Sequence, residues 1–597
     1  MKGNPTDEYT RRLTSRESEA AALGKRHARL ASVRLVLFIV IIAMALAAWE
    51  WNLLSAWWLL FPIVAFIVLV AYHSTVRRAR LRVERVATFY RRGLNRIADR
   101  WEGQGATGSR FADPHHVYSA DLDLFGAGSL FQLLSTARTR MGENKLAEWL
   151  LAPASLDEIA RRQACVAELR DLLDLREDLA VLGEDREVSV QPQALLNWAQ
   201  SPNRLTAAWL PWIALLMPAL FIASTVVWNV WSLPSPLLAV LLIEGAIIAR
   251  IRKPLEEILA GAAGAFEDLR LLAALPERLE REPCKTPQLQ ELVKTLASHD
   301  LPASTTIGRL ATIVQWIESR RNPLLAVLQI PLMYPVHTAL AAQRWRSAHG
   351  HAVSAWLDAI GTIEALNSLA AYSYEHPADP FPVVVVGPAA FVAQSLGHPL
   401  IPTAACVRND VGIDGTTRVL LISGSNMSGK STLLRTVGIN TVLAMAGAPV
   451  RAASLRLTAL QVGASIRIND SLHEGSSRFY AEITRLRQLH DLSGKPPHLL
   501  FLLDELLQGT NSADRRIGAE GVIRAFMDDG SIGLISTHDL ALTDVDGPIE
   551  NRQSRLRNHH FQDELIDGRL RFDFTLRDGV VTRSNGVELM RSIGLKV

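Results

Sequence analysis

Arg418-Val419-Leu420-Leu421-Ile422-Ser423 runs directly into Gly424-Ser425-Asn426-Met427-Ser428-Gly429-Lys430-Ser431-Thr432, and this stretch decides the fold of the C-terminal part of the chain. The first six residues form a short apolar, β-branched run of the kind that makes a buried strand. Leu433, Leu434, Val437 and Val442 then follow at helical spacing and stop near Gly447 and Pro449. Strand, glycine-rich loop and helix in this order predict a phosphate cradle. Glycines let backbone N–H groups curl round phosphates, and the helix N-terminus adds partial positive charge. Lys430 is placed to reach the β and γ phosphates of ATP and Ser431 to hold Mg²⁺.

Downstream, a nucleotide site of this type needs a buried strand ending in an acid, and Leu499-Leu500-Phe501-Leu502-Leu503-Asp504-Glu505 supplies one. Asp504 is expected to serve the metal ion, and Glu505 to polarise the attacking water. A third strand, Ile532 to Ser536, ends in Thr537-His538-Asp539, where His538 could sense the γ-phosphate or hold the water. Upstream, Pro382 to Val386 reads as another strand, so an α/β P-loop domain is expected over 381–597, preceded by a mostly helical region.

The chain is 49% apolar and 21% charged, with a net charge of +3, and the apolar excess lies in two places. Leu35 to Tyr72 carries only one charge, Glu50, and divides at Glu50-Trp51-Asn52 into two arms each close to the ~20 residues that span a bilayer core. Tryptophans at 49, 51, 57 and 58 mark the turn, while Arg11, Arg12, Arg16, Lys25, Arg26, Arg29 and Arg34 precede the run and Arg77, Arg78, Arg80 and Arg82 follow it. This pattern predicts a transmembrane hairpin over 35–72 with both flanks in the cytoplasm. Residues 1–34 form a basic cytoplasmic segment and 73–119 a basic helical linker. Leu205 to Ile243 is uncharged and holds the turn Ser232-Leu233-Pro234-Ser235-Pro236, which marks a second hairpin over 205–251 whose return arm contains Glu244. Pro323 to Ala342 reads as packed helix. Leu156 to Leu182 and Pro254 to Leu275 read as amphipathic helices. The scattered Cys165, Cys284 and Cys406 have no metal-ligand spacing and fit a reducing compartment. The expected location is the cytoplasmic membrane, multi-pass, with the N-terminus and the ATPase domain inside.

The loop and its neighbours resemble the MutS family of DNA mismatch-repair ATPases. Asn426-Met427 inside the loop is characteristic of that family. Gly475-Ser476-Ser477-Arg478-Phe479-Tyr480-Ala481-Glu482 looks like its Gly-x-Ser-x-Phe-x-x-Glu segment, Asp504-Glu505 with Gly509-Thr510 and Asp514 like its second acidic motif, and Thr537-His538 like its Thr-His. Further upstream, Asp121-Leu122-Asp123-Leu124-Phe125-Gly126, Gly128-Ser129-Leu130-Phe131 and Thr139-Arg140-Met141-Gly142 look like the start of the family's helical core, and Glu364 to Ala370 like its closing helix. The resemblance implies a helical core domain over 120–380, interrupted by the second hairpin, and a dimer whose Ser477 reaches the partner's γ-phosphate. It also implies adenine contacts near Val407 and Asn409, although Cys406-Val407 replaces the family's stacking aromatic and Gln508 its usual arginine. The family's mismatch-reading domain, with its Phe-x-Glu wedge, has no counterpart in this chain.

The reading that results is a membrane-anchored ATPase of the MutS type, coupled to duplex DNA or to a protein partner. Two others compete. A transport ATPase of the ABC class would also join membrane spans to a composite ATP site, and Leu492-Ser493-Gly494 is a partial signature for it, although it lies too close to Asp504 to leave room for a signature helix. A nucleotide-dependent scaffold with little hydrolysis would fit the departure at Gln508.

Overall fold

The computed structural model describes the chain except for residues 1–3, 52, 54, 183–191, 204, 206, 265–268, 298–301, 321–328, 468–477, 508–510, 539–554, 567–568 and 581–597. It divides into two units, one comprising Met1–Gln104 with Leu173–Glu184 and the other Gly105–Leu172 with Asp185–Val597.

The first unit is a long helical hairpin. Helix α1 (Pro5–Trp49) starts where the Asn4 side chain accepts the Thr6 amide, with Asp7 and Glu8 in its first turn, an arrangement that satisfies an orphan donor and suits the helix dipole. Helix α2 (Leu60–Ile97) returns beside it. The basic flanks and the apolar arms therefore belong to the same two continuous helices. At the basic end Tyr9, Phe89 and Tyr90 pack together, Tyr9 and Tyr90 edge to face at 5.4 Å. Helix α6 (Leu173–Val181) closes this end. Its Glu177 accepts Arg16 Nη2 at 2.6 Å and the Tyr90 hydroxyl, and Arg176 is fully buried. The sequence pattern over Leu156–Leu182 reads as one helix, but the chain breaks at Leu172, and the two halves serve different units.

The second unit begins with helices α3 (Leu130–Leu134), α4 (Arg140–Leu151) and α5 (Leu156–Asp171). After α7 (Pro192–Gln200) come α8 (Leu210–Trp231) and α9 (Ser235–Gly264), then α10 (Leu269–Glu280), α11 (Pro287–Leu296), α12 (Ala303–Ser319), α13 (Tyr334–His349) and α14 (Val353–Glu375). A new helix was expected at Pro254, yet α9 continues through it. Pro254 removes one i→i−4 donor without ending the helix. Helices α4 and α14 cross closely. A Cβ on Gly142 would sit 2.5 Å from Glu364 Oε2, and one on Gly361 would sit 2.9 Å from the Met141 carbonyl. Glu364 accepts the Arg138 amide at 2.9 Å and the Thr139 hydroxyl, which ties the two ends of the helical core together.

The remainder is α/β. A four-stranded sheet has the order β1-β5-β2-β3, from Val383–Val385, Ser454–Thr458, Phe391–Leu396 and Asn409–Ile413. The larger sheet has the order β10-β9-β4-β8-β7-β6. Its strands are β4 (Val419–Ser423), β6 (Leu460–Ser465), β7 (His498–Asp504), β8 (Ile532–Thr537), β9 (Leu556–Ile566) and β10 (Arg569–Asp578). All neighbours are parallel except β9 and β10. Parallel strands are covered on both faces, and accordingly β4 is buried throughout. Leu421, Phe501 and Ile535 share a core with Leu489 of helix α16 (Arg478–Leu492) and Phe526 of α17 (Ser512–Asp528).

Candidate active site

In an open parallel sheet, ligands bind beyond the carboxyl ends of the strands. Strand register brings three of those ends together here: Ser423 of β4 lies opposite Thr537 of β8, and Ser536 of β8 opposite Asp504 of β7. The loop Gly424–Gly429 leaves the first of these ends and enters helix α15 (Lys430–Ala446). Gly429 is left-handed with φ 106°, and Gly424 has φ 150° with space for a Cβ only 2.9 Å from Ser428 Oγ. Glycine is the residue that tolerates both conformations. Met427 also has positive φ, 70°, and is 85% exposed. Gly438 in α15 lets the helix press on the core, since a Cβ there would meet Leu122 and Leu502 at 2.7 Å.

Lys430 is buried, and its Nζ donates to the Gly424 carbonyl at 3.0 Å and the Ser425 carbonyl at 2.9 Å, with His538 Nε2 at 3.5 Å. Burial lowers its pKa, and the carboxylates of Glu505 and Asp504 oppose that shift. His538 Nε2 pairs with Glu505 Oε1, and Ser536 Oγ donates to Asp504 Oδ1. The Glu505 amide donates to the Ser536 carbonyl at 3.2 Å and to Ser536 Oγ at 3.1 Å. Glu505 holds φ 53° and Leu507 φ 58°, rare for residues with a side chain. Buried Glu482 of α16 accepts the Leu507 amide at 2.5 Å and so helps fix this turn. Such strained backbone persists where surrounding bonds over-determine it.

The loop fits a polyphosphate. Among the described residues, the hydroxyls of Ser425 and Ser428 are buried without a hydrogen-bond partner, and the first turn of α15 carries the amides of Lys430, Ser431 and Thr432. Ser431 and Asp504 are the residues that would hold Mg²⁺ beside it. Next to the loop, a cavity of about 170 Å³ is lined by Gly429, Thr432, Val407, Asn409, Ile401, Phe561 and Phe574, among others. Val407, Asn409 and Thr432 therefore meet at one place. The side chain of Asn409 is committed to β10, donating to the Phe574 carbonyl at 3.0 Å and accepting the Leu576 amide at 2.7 Å. Phe574, which the sequence reading did not pick out, provides an aromatic wall opposite Val407's segment. It lies 165 residues from Asn409, and only the sheet brings them together.

Ser477, Gln508, Gly509, Thr510 and Asp539 lie outside the described residues. Asp514 exchanges hydrogen bonds with Asn511 at the start of α17. The Asp-Leu-Asp run near the start of the helical core joins it to the site. Asp121 accepts the amides of Ile466 and Arg467 at 2.8 and 2.7 Å, and Asp123 accepts Arg467 and, at 3.4 Å, Arg435 of α15. Ser493 follows the C-terminus of α16 and donates to Asp529 at 2.6 Å, the wrong helix end for a phosphate contact.

A family profile described as MutS domain V matches residues 420–596, and one described as MutS domain III matches residues 118–370. The chain is similar to a DNA mismatch repair protein MutS 2 of Halobacterium salinarum, 33% identical over 242 residues, which are 40% of this chain and 27% of that protein. It is also similar to an endonuclease MutS2 of Thermus thermophilus, 33% identical over 199 residues, 33% of this chain and 25% of that protein. A third relative, a DNA mismatch repair protein MutS of Roseiflexus sp., is 33% identical over 218 residues, 36% of this chain and 19% of that protein. The chain thus matches about a quarter or less of the length of these curated relatives. With a helical core and a P-loop ATPase domain matched in order, this chain belongs to the MutS family, of which it carries domains III and V.

Proposed function

We propose that the chain is a membrane-anchored MutS-type ATPase that binds ATP with Mg²⁺ at the loop 424–432 and hydrolyses it. The observation that carries this reading is the meeting of Lys430, Asp504, Glu505 and His538 beyond the carboxyl ends of the neighbouring strands β4, β8 and β7. Bound Mg²⁺ would neutralise phosphate charge. Lys430 would exchange its two loop carbonyls for phosphate oxygens, and Glu505, oriented by His538, would accept a proton from water. Phosphoryl transfer needs mainly such positioning and charge stabilisation.

Dimerisation through the ATPase domain, with Ser477 acting on the partner's nucleotide, is supported by exposed apolar side chains on that domain, namely Met427, Tyr480 and Ile517. Membrane anchoring is supported by composition and exposure together. Among the described residues, Pro5–Trp49, Trp57–Ile97 and Leu210–Trp231 are long and apolar enough to cross a membrane. Helix α9 does not meet that measure, and we read its first half as the return arm of the second hairpin. The N-terminus and ATPase domain then lie in the cytoplasm. The partner is duplex DNA, as the names of the relatives suggest, or a protein. Within the basic run of α2, Arg80, Arg82 and Arg91 are paired with Glu84, Asp178 and Glu17, which leaves fewer arginines for phosphates.

The test uses detergent-purified full chain. We expect Mg²⁺-dependent ATP turnover that Lys430→Ala abolishes by removing nucleotide binding. If Lys430→Ala turns over ATP like the parent, the site is elsewhere. Duplex DNA that alters the rate, with an effect fading steeply as salt rises, identifies the partner class. No effect at low salt counts against a nucleic-acid partner.

A further inference from the structure

Glu244 is the one charged residue between Leu205 and Ala249. It lies nine residues into α9, roughly 14 Å from the turn at a rise of 1.5 Å per residue, near mid-depth of a ~30 Å bilayer core. Leu238, Leu242 and Ile243 around it are at least half exposed, whereas Glu244 itself is fully buried, on the face of α9 that continues through Leu255 and Leu259. Among the described residues, neither carboxyl oxygen has a hydrogen-bond partner.

Among the described residues, the helices most closely packed against α9 are α8, α7, α12 and α13. Helices α8 and α7 contain no charged residue. Arg309 and Glu318 on α12, and Tyr334, His337, Arg344, Arg346 and His349 on α13, are the titratable groups those two offer, and none bonds Glu244. Arg346 is engaged by Ser201, Pro202 and Asn203, and on α9 Arg252 is paired with Glu256. A carboxylate buried without a counter-charge is strongly disfavoured, while the neutral acid leaves only a modest unsatisfied polar group. A metal cation would need several convergent oxygens, and among the described residues the carboxyl has no hydrogen-bond partner.

We infer that Glu244 is a proton-binding site within the second hairpin, holding its proton where α8 and α9 pack together. The inference rests on reading α8 and α9 as a membrane hairpin.

Dicyclohexylcarbodiimide tests it on the full chain in phospholipid vesicles. The reagent requires the acid form: the carboxyl proton passes to a carbodiimide nitrogen, the oxygen adds to the central carbon, and an O-to-N acyl shift leaves a stable N-acylurea. Peptide mass spectrometry should locate the adduct on Glu244, with initial labelling rate falling about tenfold per pH unit above its titration point. Added sodium should not change it, and Glu244→Gln, a neutral isostere, should lose it. No adduct, a rate flat from pH 5 to 9, or protection by sodium each overturns the proton site. A Pro234→Cys probe in the same vesicles tests the hairpin separately. Labelling of that cysteine from the far side with no Glu244 adduct sinks the proton site alone. A pH-dependent adduct with Pro234→Cys reachable only from the ATPase side sinks the membrane reading and leaves a buried proton site.

Discussion

Leu421 in β4 is 1% exposed, whereas Leu35, Val36 and Ile39 in α1, no more apolar, are 60%, 61% and 56% exposed. The difference lies in where the backbone finds its hydrogen bonds. Five residues of β4 can satisfy their amides only by pairing with β8 and β9, so their side chains enter a core covered on both faces. A helix of 45 residues satisfies its backbone internally and can leave its side chains outward. The proposed membrane anchoring supplies lipid as the solvent for such a surface, and lipid requires this internal satisfaction. Apolar character therefore says that a run leaves water, and its length and periodicity say whether it leaves for a core or for a bilayer.

The largest effect that would break this contrast is chemical and confined to the buried side. Glu505→Ala should lower kcat by about 10²–10⁴-fold, the range for loss of a general base, while ATP affinity stays near that of the parent. Steady-state turnover and nucleotide titration on the same preparation check both halves. Unchanged turnover would remove Glu505 from the mechanism and leave the strand ends as a binding site only.

Next comes a matched pair of truncations. Leu421→Ala opens space in a dense core and should cost about 2–5 kcal/mol, read as earlier unfolding of the ATPase domain in denaturant. Under the proposed membrane anchoring, Ile39→Ala changes a side chain that packs mainly on lipid or detergent, and it should shift the same transition by no more than about 0.5 kcal/mol. Comparable losses would mean that α1 is buried in protein.

Much of the site was legible in sequence because its signals are local. The run from Val419 to Ala446 encodes strand, loop and helix with their own breakers, down to the left-handed Gly447 that ends α15. Asp504 and His538 were found because each ends a buried strand. What escaped depends on contacts between distant residues. Phe574 reaches the cavity only because β9 and β10 fold back beside β4, and no feature near residue 574 announces Asn409. The break at Leu172 is hidden because α5 and α6 have similar composition yet bury against different partners. The pairing of β1 with β5, about 70 residues apart, is equally non-local.

Two helical glycines carry the comparison to a finer scale. Gly438→Ala in α15 would drive a methyl group into Leu122 and Leu502 at 2.7 Å. That overpacking should cost about 1–3 kcal/mol. Gly24 in α1 has nothing within 4 Å of a new Cβ. Gly24→Ala should therefore stabilise its helix by about 0.5–1 kcal/mol through propensity alone. Opposite signs in helicity-monitored melts support the contrast, and a penalty at both positions would place α1 against a neighbour.

The pH-dependent test concerns a carboxyl inside the helical core. Burial raises the pKa of Glu364 to about 7, with the Thr139 hydroxyl and the Arg138 amide opposing the shift. Its ordinary value is 4.5. The native state therefore holds this proton more tightly than the unfolded chain. The resulting stabilisation is complete below about pH 4.5, declines as pH rises, and is lost once pH passes about 7. Glu364→Gln cannot ionise, so it should flatten this decline between pH 5 and 7 while weakening the core uniformly through one lost acceptor. Chemical denaturation of both proteins across that range measures the difference in slope. Parallel slopes would mean that the Thr139 and Arg138 contacts keep Glu364 ionised, and the crossing of α4 and α14 would then be tied by a charge-assisted bond.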